Sequence, residues 1–189
     1  MRAILFILVG LSIFWNDLAS AAQADSWKQN TQLLPQYCKD RAKGSHSAEW
    51  EKWRSTFGEA FIHMHHYCDG VYAEKMAKIT IDQGERNRWL KFVIGEMKYV
   101  ESHCHANCVL FPELHTRMGW AYGERGDVSD AISQFQLVIK TQPKYAPAYA
   151  QLSDLYVKIK QPGEARKVLE AGLKAKPGAR MLQRRLKEL

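Results

Sequence analysis

Two consecutive stretches decide the fold: residues 112–145, PELHTRMGWAYGERGDVSDAISQFQLVIKTQPKY, and residues 146–179, APAYAQLSDLYVKIKQPGEARKVLEAGLKAKPGA. Laid over one another at an offset of 34 residues, they place Tyr122 on Tyr156, Ala131 on Ala165 and Pro143 on Pro177. Met118 falls on Leu152, Gly119 on Ser153, Phe135 on Leu169 and Ile139 on Leu173. Self-similarity at such a period is the signature of a repeat architecture. Within the second copy, Ala165, Val168, Leu169, Gly172 and Leu173 form a one-sided helical stripe. Tyr149, Leu152, Tyr156 and Ile159 form another. Gly126-Asp127 and Gln161-Pro162-Gly163 break the chain between paired helices. Pro143 and Pro177 stop the second helix of each pair, because proline has no N–H and clashes with the turn before it.

A helix pair cannot bury its apolar face alone, and an array of this kind needs about three units and a cap. Residues 180–189 read as the cap, with Met181, Leu182, Leu186 and Leu189 inward and Arg184, Arg185 and Lys187 in water. Upstream, Phe57, Phe61, Met64, Cys68 and Val71 read as one stripe, and Trp89, Val93, Ile94, Met97 and Val100 as another. Residues 47–111 are therefore expected to be a degenerate, enlarged helix pair turning at Gln83–Asn87, after an N-terminal segment 25–46. Trp50, Trp53 and Phe57 fall at core spacing.

The 34-residue helix–turn–helix unit resembles the tetratricopeptide repeat, with His115 and Tyr149 where the family often has tryptophan. The resemblance implies an all-α fold: a short right-handed superhelical array of antiparallel helix pairs with a C-terminal capping helix. It also implies that the first helix of each pair lines a concave groove. Carried onto this chain, the groove positions are Glu113, Thr116, Trp120, Gly123 and Glu124, then Ala150, Asp154, Val157 and Lys158, with Arg184 extending the line. Trp120 is the natural anchor, since an indole buries much area and keeps a donor. The alternative is that it packs between units. Thr116, Trp120 and Gln151 stand where some members carry the Lys/Asn set that grips a C-terminal carboxylate, so a chaperone-tail reader is not implied.

Residues 1–24 read as a secretory signal: Arg2, an apolar run from Ala3 to Trp15, and the A-x-A site Ala22-Gln23-Ala24. An uncleaved N-terminal inner-membrane anchor is the alternative. Export places the chain in the periplasm or outside the cell. The 189 residues carry a formal charge of +7, which raises the question of nucleic acid. The charge is local. Residues 25–139 hold 14 Lys/Arg against 15 Asp/Glu, and residues 140–189 hold 12 against 4. The body is neutral and the C-terminal end basic, which suits anionic lipid or polysaccharide better than nucleic acid in an exported protein.

An even cysteine count in an exported chain favours disulfides. Cys38, Cys68, Cys104 and Cys108 allow three pairings. The favoured one joins Cys38 to Cys68, tying the N-terminal segment to a helix, and Cys104 to Cys108 at a helix end. The run Leu34-Pro35-x-Tyr37-Cys38, with His63-x-His65-His66-Tyr67-Cys68-x-Gly70, is similar to a group of exported bacterial tetratricopeptide proteins. That resemblance implies the same Cys38–Cys68 pairing and no activity.

His63, His66, His103 and His105, with the cysteine loop 103–108, offer a second reading as Zn or Cu ligands. Helical geometry argues against convergence of His63, His65 and His66 from one helix, so imidazoles hydrogen-bonded between helices are the plainer expectation. The chain has no H-E-x-x-H, G-x-S-x-G, phosphate-binding loop, C-x-x-C or cofactor motif. The sequence thus points to a non-catalytic scaffold, without cofactor, that binds a protein or peptide of the cell envelope in its groove.

Overall fold

The structure, a computed structural model, describes residues 26–44, 47–104 and 108–189. The signal reading for residues 1–24, and His105, fall outside them. Every regular element among the described residues is helical. Two short helices, α1 (Ser26–Gln29) and α2 (Gln36–Ala42), precede α3 (Ala48–Phe57). The long pair α4 (Met64–Ile79) and α5 (Gln83–Ser102) follows. Then come α6 (Phe111–Arg125) with α7 (Val128–Thr141), and α8 (Ala146–Lys158) with α9 (Pro162–Ala175). The last element is α10 (Arg180–Glu188).

From α4 onward each helix packs on the next, and α6 also packs on α8, and α8 on α10. This is the layout of stacked antiparallel pairs, with the first helices forming one wall. Apolar surface is buried in successive clusters between neighbours. The largest runs from Trp27 through Tyr67, Met97 and Met118 to Ala121. Phe135 and Leu152 lie at the centre of the next, and Tyr149, Leu169 and Leu182 of the last.

Three sequence expectations are corrected. Gln83–Asn87 is not a turn: Asp82 caps α5 by accepting the Glu85 N–H at 2.7 Å, so the helix already runs through that polar stretch. The stripe from Phe57 to Val71 is not one helix, because α3 ends at Gly58 and a 3-10 turn, Gly58–Phe61, precedes α4. Phe57 and Phe61 instead meet as stacked rings 6.4 Å apart. In α10 only Leu182 is buried, with Leu186 packed beside it, whereas Met181 and Leu189 stay exposed. Trp50, Trp53 and Phe57 pack half-buried on the main cluster.

The sulfurs of Cys38 and Cys68 lie at bonding distance, as do those of Cys104 and Cys108. The first pair fastens α2 to α4 across 30 residues. We expect the oxidised chain to offer no thiol to alkylation under denaturing conditions. Reduction of the Cys38–Cys68 bond should lower stability by about 3 kcal/mol in chemical denaturation.

The 34-residue period extends to backbone conformation. Gly126, which caps α6, has φ 90°, and its counterpart Lys160 has φ 60°. A side chain in the left-handed region costs about 1 kcal/mol, a cost glycine does not carry. Lys160→Gly should therefore raise unfolding stability by about 0.5–1 kcal/mol, measurable as a shift in denaturation midpoint.

Candidate functional site

The first helices present a row of three adjoining cavities. One, of about 170 Å³, lies among Glu74, Glu113, Thr116, Arg117, Trp120, Tyr145, Pro147 and Gln151. The next, of about 260 Å³, is walled by Gly119, Trp120, Gly123, Phe135 and Leu155, with Glu124, Gln151, Asp154 and Lys158 around it. The third, of about 230 Å³, is formed by Ser153, Asp154, Val157, Arg185, Glu188 and Leu189. Trp120 and Gln151 separate the first two, and Asp154 is common to the second and third. Together they form one groove along α6, α8 and α10.

Trp120 is half-buried and rests against the main core. The Lys78 ammonium sits 4.7 Å from its ring centroid, a cation–π contact that holds the indole in place. Lys78 in turn pairs with Glu74, and Glu74 with Arg117. Arg117 also bonds Glu113 at 2.7 Å and donates to the Tyr67 hydroxyl at 3.2 Å. Tyr37 donates to that same hydroxyl at 3.1 Å. Burial opposes the charge on Arg117, but Tyr67, Glu74 and Glu113 outweigh it and hold the guanidinium firmly protonated. Burial likewise works against the Glu74 carboxylate, and Arg117 and Lys78 overcome it, leaving its pKa below the ordinary value.

Further along, Glu124 accepts from Arg86 and from Lys158, the latter at 2.9 Å. Lys158 also donates to the Gly123 carbonyl at 3.1 Å. Arg86 and Lys158 prevail over burial and keep the Glu124 carboxyl below its usual range. At the far end Arg185 grips both oxygens of Asp154, at 2.8 and 2.9 Å. The amide oxygen of Gln151, between the first two cavities, is buried and meets no hydrogen-bond partner among the described residues.

Of the residues placed in the groove from sequence, Glu113, Trp120, Glu124, Asp154 and Lys158 line it, as do Gly123 and Val157. Thr116 reaches the first cavity but is buried, its hydroxyl donated to the Pro112 carbonyl. Ala150 is enclosed in the core. Arg184 is displaced: it is exposed and faces Glu188 on its own helix at 3.9 Å, while its neighbour Arg185 enters the groove. One residue is about 100° of helix, enough to exchange a solvent face for a groove face. Among the polar groove residues, Glu74, Arg117 and Arg185 are ones the repeat register does not point to. Only contacts made across helices identify them.

The histidines gather elsewhere, where α4 begins and α5 ends. His63 and His103 have ring centroids 4.3 Å apart, and Tyr99 lies against both His66 and His103. His66 Nδ1 bonds Glu96 Oε2 at 2.7 Å. Burial raises the Glu96 carboxyl to about 7. Burial first, and His103 second, lower the His66 imidazole. His63, His66 and His103 do not converge as three ligands. The cysteines of the 103–108 loop lie at bonding distance of each other and offer no thiolate. Among the described residues the His/Cys/Asp/Glu trio whose donor atoms all lie within 4.8 Å of one another is His66, Asp69 and Glu96.

Residues 124–186, about a third of the chain, match the family model described as tetratricopeptide repeat. Such repeats form protein–protein interaction modules and are typically non-catalytic scaffolds. No curated protein matches the chain in sequence. Among solved structures, YrrB, titled a TPR protein with an unusual peptide-binding site, is 15% identical with a TM-score of 0.47. The match covers 88% of this chain and 89% of that one. A likeness at that level adds nothing to the site.

The Glu74–Arg117 pair makes a pH prediction. Glu74 has a folded pKa below its unfolded value, so its contribution is present above about pH 4.5 and is lost as pH falls through the folded value. Glu74→Gln should cost about 2 kcal/mol at pH 7. In denaturant titrations across pH, the gap from wild type should close on acidification below pH 4.5.

Proposed function

We propose that this chain is a non-catalytic scaffold that holds a short peptide segment of a cell-envelope protein against Trp120. The observation that carries the reading is the partly exposed indole standing between two joined cavities, beside a buried amide oxygen with no partner. An aromatic wall of this kind is a natural anchor for an apolar side chain. The Gln151 oxygen would accept a backbone N–H from the same segment, ending the cost of an unsatisfied buried acceptor. The surrounding charges are mostly paired within the protein, so specificity would come from shape and from that hydrogen bond rather than from net charge.

A periplasmic or extracellular setting belongs to the same proposal. It rests on the signal-like residues 1–24 and on the two pairs of cysteine sulfurs at bonding distance. The basic end adds a second contact, with anionic lipid or polysaccharide. Arg180, Arg184 and Lys187 stand exposed on α10, and Lys174 and Lys176 are exposed at the end of α9 and just beyond it. Arg185 is excluded from that surface by its bond to Asp154.

The test is comparative capture from envelope extracts, with proteins identified by mass spectrometry. Trp120→Ala and Gln151→Leu should each deplete the same captured proteins about tenfold or more, with thermal unfolding still cooperative. Capture unchanged in both variants would remove the groove from consideration.

A further inference from the structure

A second site lies outside the groove, and none of its residues lines the cavities around Trp120. His66 and Asp69 stand three residues apart on α4, so their side chains share a face. Glu96 comes from α5. What brings α5 so near is Gly70. A Cβ there would fall 3.2 Å from the Glu96 Cβ, tighter than ordinary contact, and would displace the flexible Met97 Cε at 2.1 Å. Glycine therefore lets the two helices approach here without adjustment. The same contact sets Glu96 beside the residue next to Gly70, the buried Asp69. The Tyr99 ring, 3.7 Å from the His66 ring by centroids, fixes the imidazole plane. Cys68, in the same turn of α4, lies at bonding distance of Cys38, so the donor set is one nitrogen and two carboxylate oxygens.

We propose that His66, Asp69 and Glu96 form a binding site for a divalent transition metal ion of the Zn2+ type, with a fourth position left to water. The donors are those such ions take: imidazole nitrogen at about 2.0–2.1 Å and carboxylate oxygen at about 2.0–2.2 Å, with three protein ligands and one open position. Tetrahedral bonds of that length set donors about 3.4 Å apart. The three donor atoms already lie within 4.8 Å of one another, with the His66–Glu96 pair at 2.7 Å. Side-chain adjustments on the order of 1 Å therefore complete the sphere. The ion would enter in place of the His66–Glu96 hydrogen bond and offset the repulsion of two carboxylates held close together away from water. The ligand set differs from a histidine-only one. His63 and His103 pack against each other and against Tyr99, around the site rather than as ligands.

The experiment uses the full chain, stripped with chelator and equilibrated with Zn2+ alone. Equilibrium dialysis with elemental analysis should give about one ion per chain. His66→Ala and Glu96→Gln should each weaken binding about tenfold or more, at unchanged helical circular dichroism, while His63→Ala and His103→Ala bind as wild type. In parallel, Co2+ added to the wild-type chain should produce visible d–d absorption without a thiolate charge-transfer band, a readout that does not depend on any variant folding. The assignment is overturned by wild-type protein that takes up neither ion. It is equally overturned if Glu96→Gln binds normally while His103→Ala does not, which would transfer the site to the imidazole cluster. Loss of metal with an intact Trp120-dependent capture, or the reverse, separates this site from the groove.

Discussion

The half-buried Arg117 guanidinium joins the two halves of the array. It sits on the first helix of the first full repeat and reaches back to Glu74 and Tyr67 on α4, while Glu113 holds it from its own helix. A charge in that position is costly unless every face of it is matched, and here three oxygens from two helices match it. The consequence is positional. With α4 fixed against α6, Lys78 lies over Trp120, and the indole wall of the groove is set from the side of the enlarged N-terminal pair. The groove is thus built jointly by the regular repeats and by the irregular helices before them.

The repeats were legible because their periodicity is covalent information. Tyr122 over Tyr156 and Pro143 over Pro177 need no knowledge of partners, and the helices fall where the prolines and Gly126 allow. The helix pair before them was legible in kind but not in its boundaries. Asp82 followed by Glu85 is a helix start, yet the polar, glycine-containing run that follows it looks like a turn when read alone. Gly58 interrupts what looks like continuous amphipathic spacing, because the aromatic residues on either side are drawn to Tyr37 and to each other rather than to one helical face.

The groove was legible as far as a repeat register can carry it. Trp120, Glu124, Asp154 and Lys158 keep the register of the regular units and so land on the concave side. Arg185 lies beyond the last unit, where the register ends and the capping helix takes its own rotation, set by burial of Leu182. Glu96 was invisible for a different reason. Its neighbours His66 and Asp69 are 30 and 27 residues away in sequence, and only the close crossing at Gly70 makes them a cluster.

The bond between Arg185 and Asp154 also sets a length. It closes the α10 end of the concave face, and the Lys78–Trp120 contact marks the boundary between the first and second cavities. Between them run essentially two first helices, and packed helices lie about 8–10 Å apart. A face of about 20 Å accommodates roughly six residues of extended chain at about 3.3 Å each. On the proposed reading, that stretch between Trp120 and Asp154 would set the length of a bound segment.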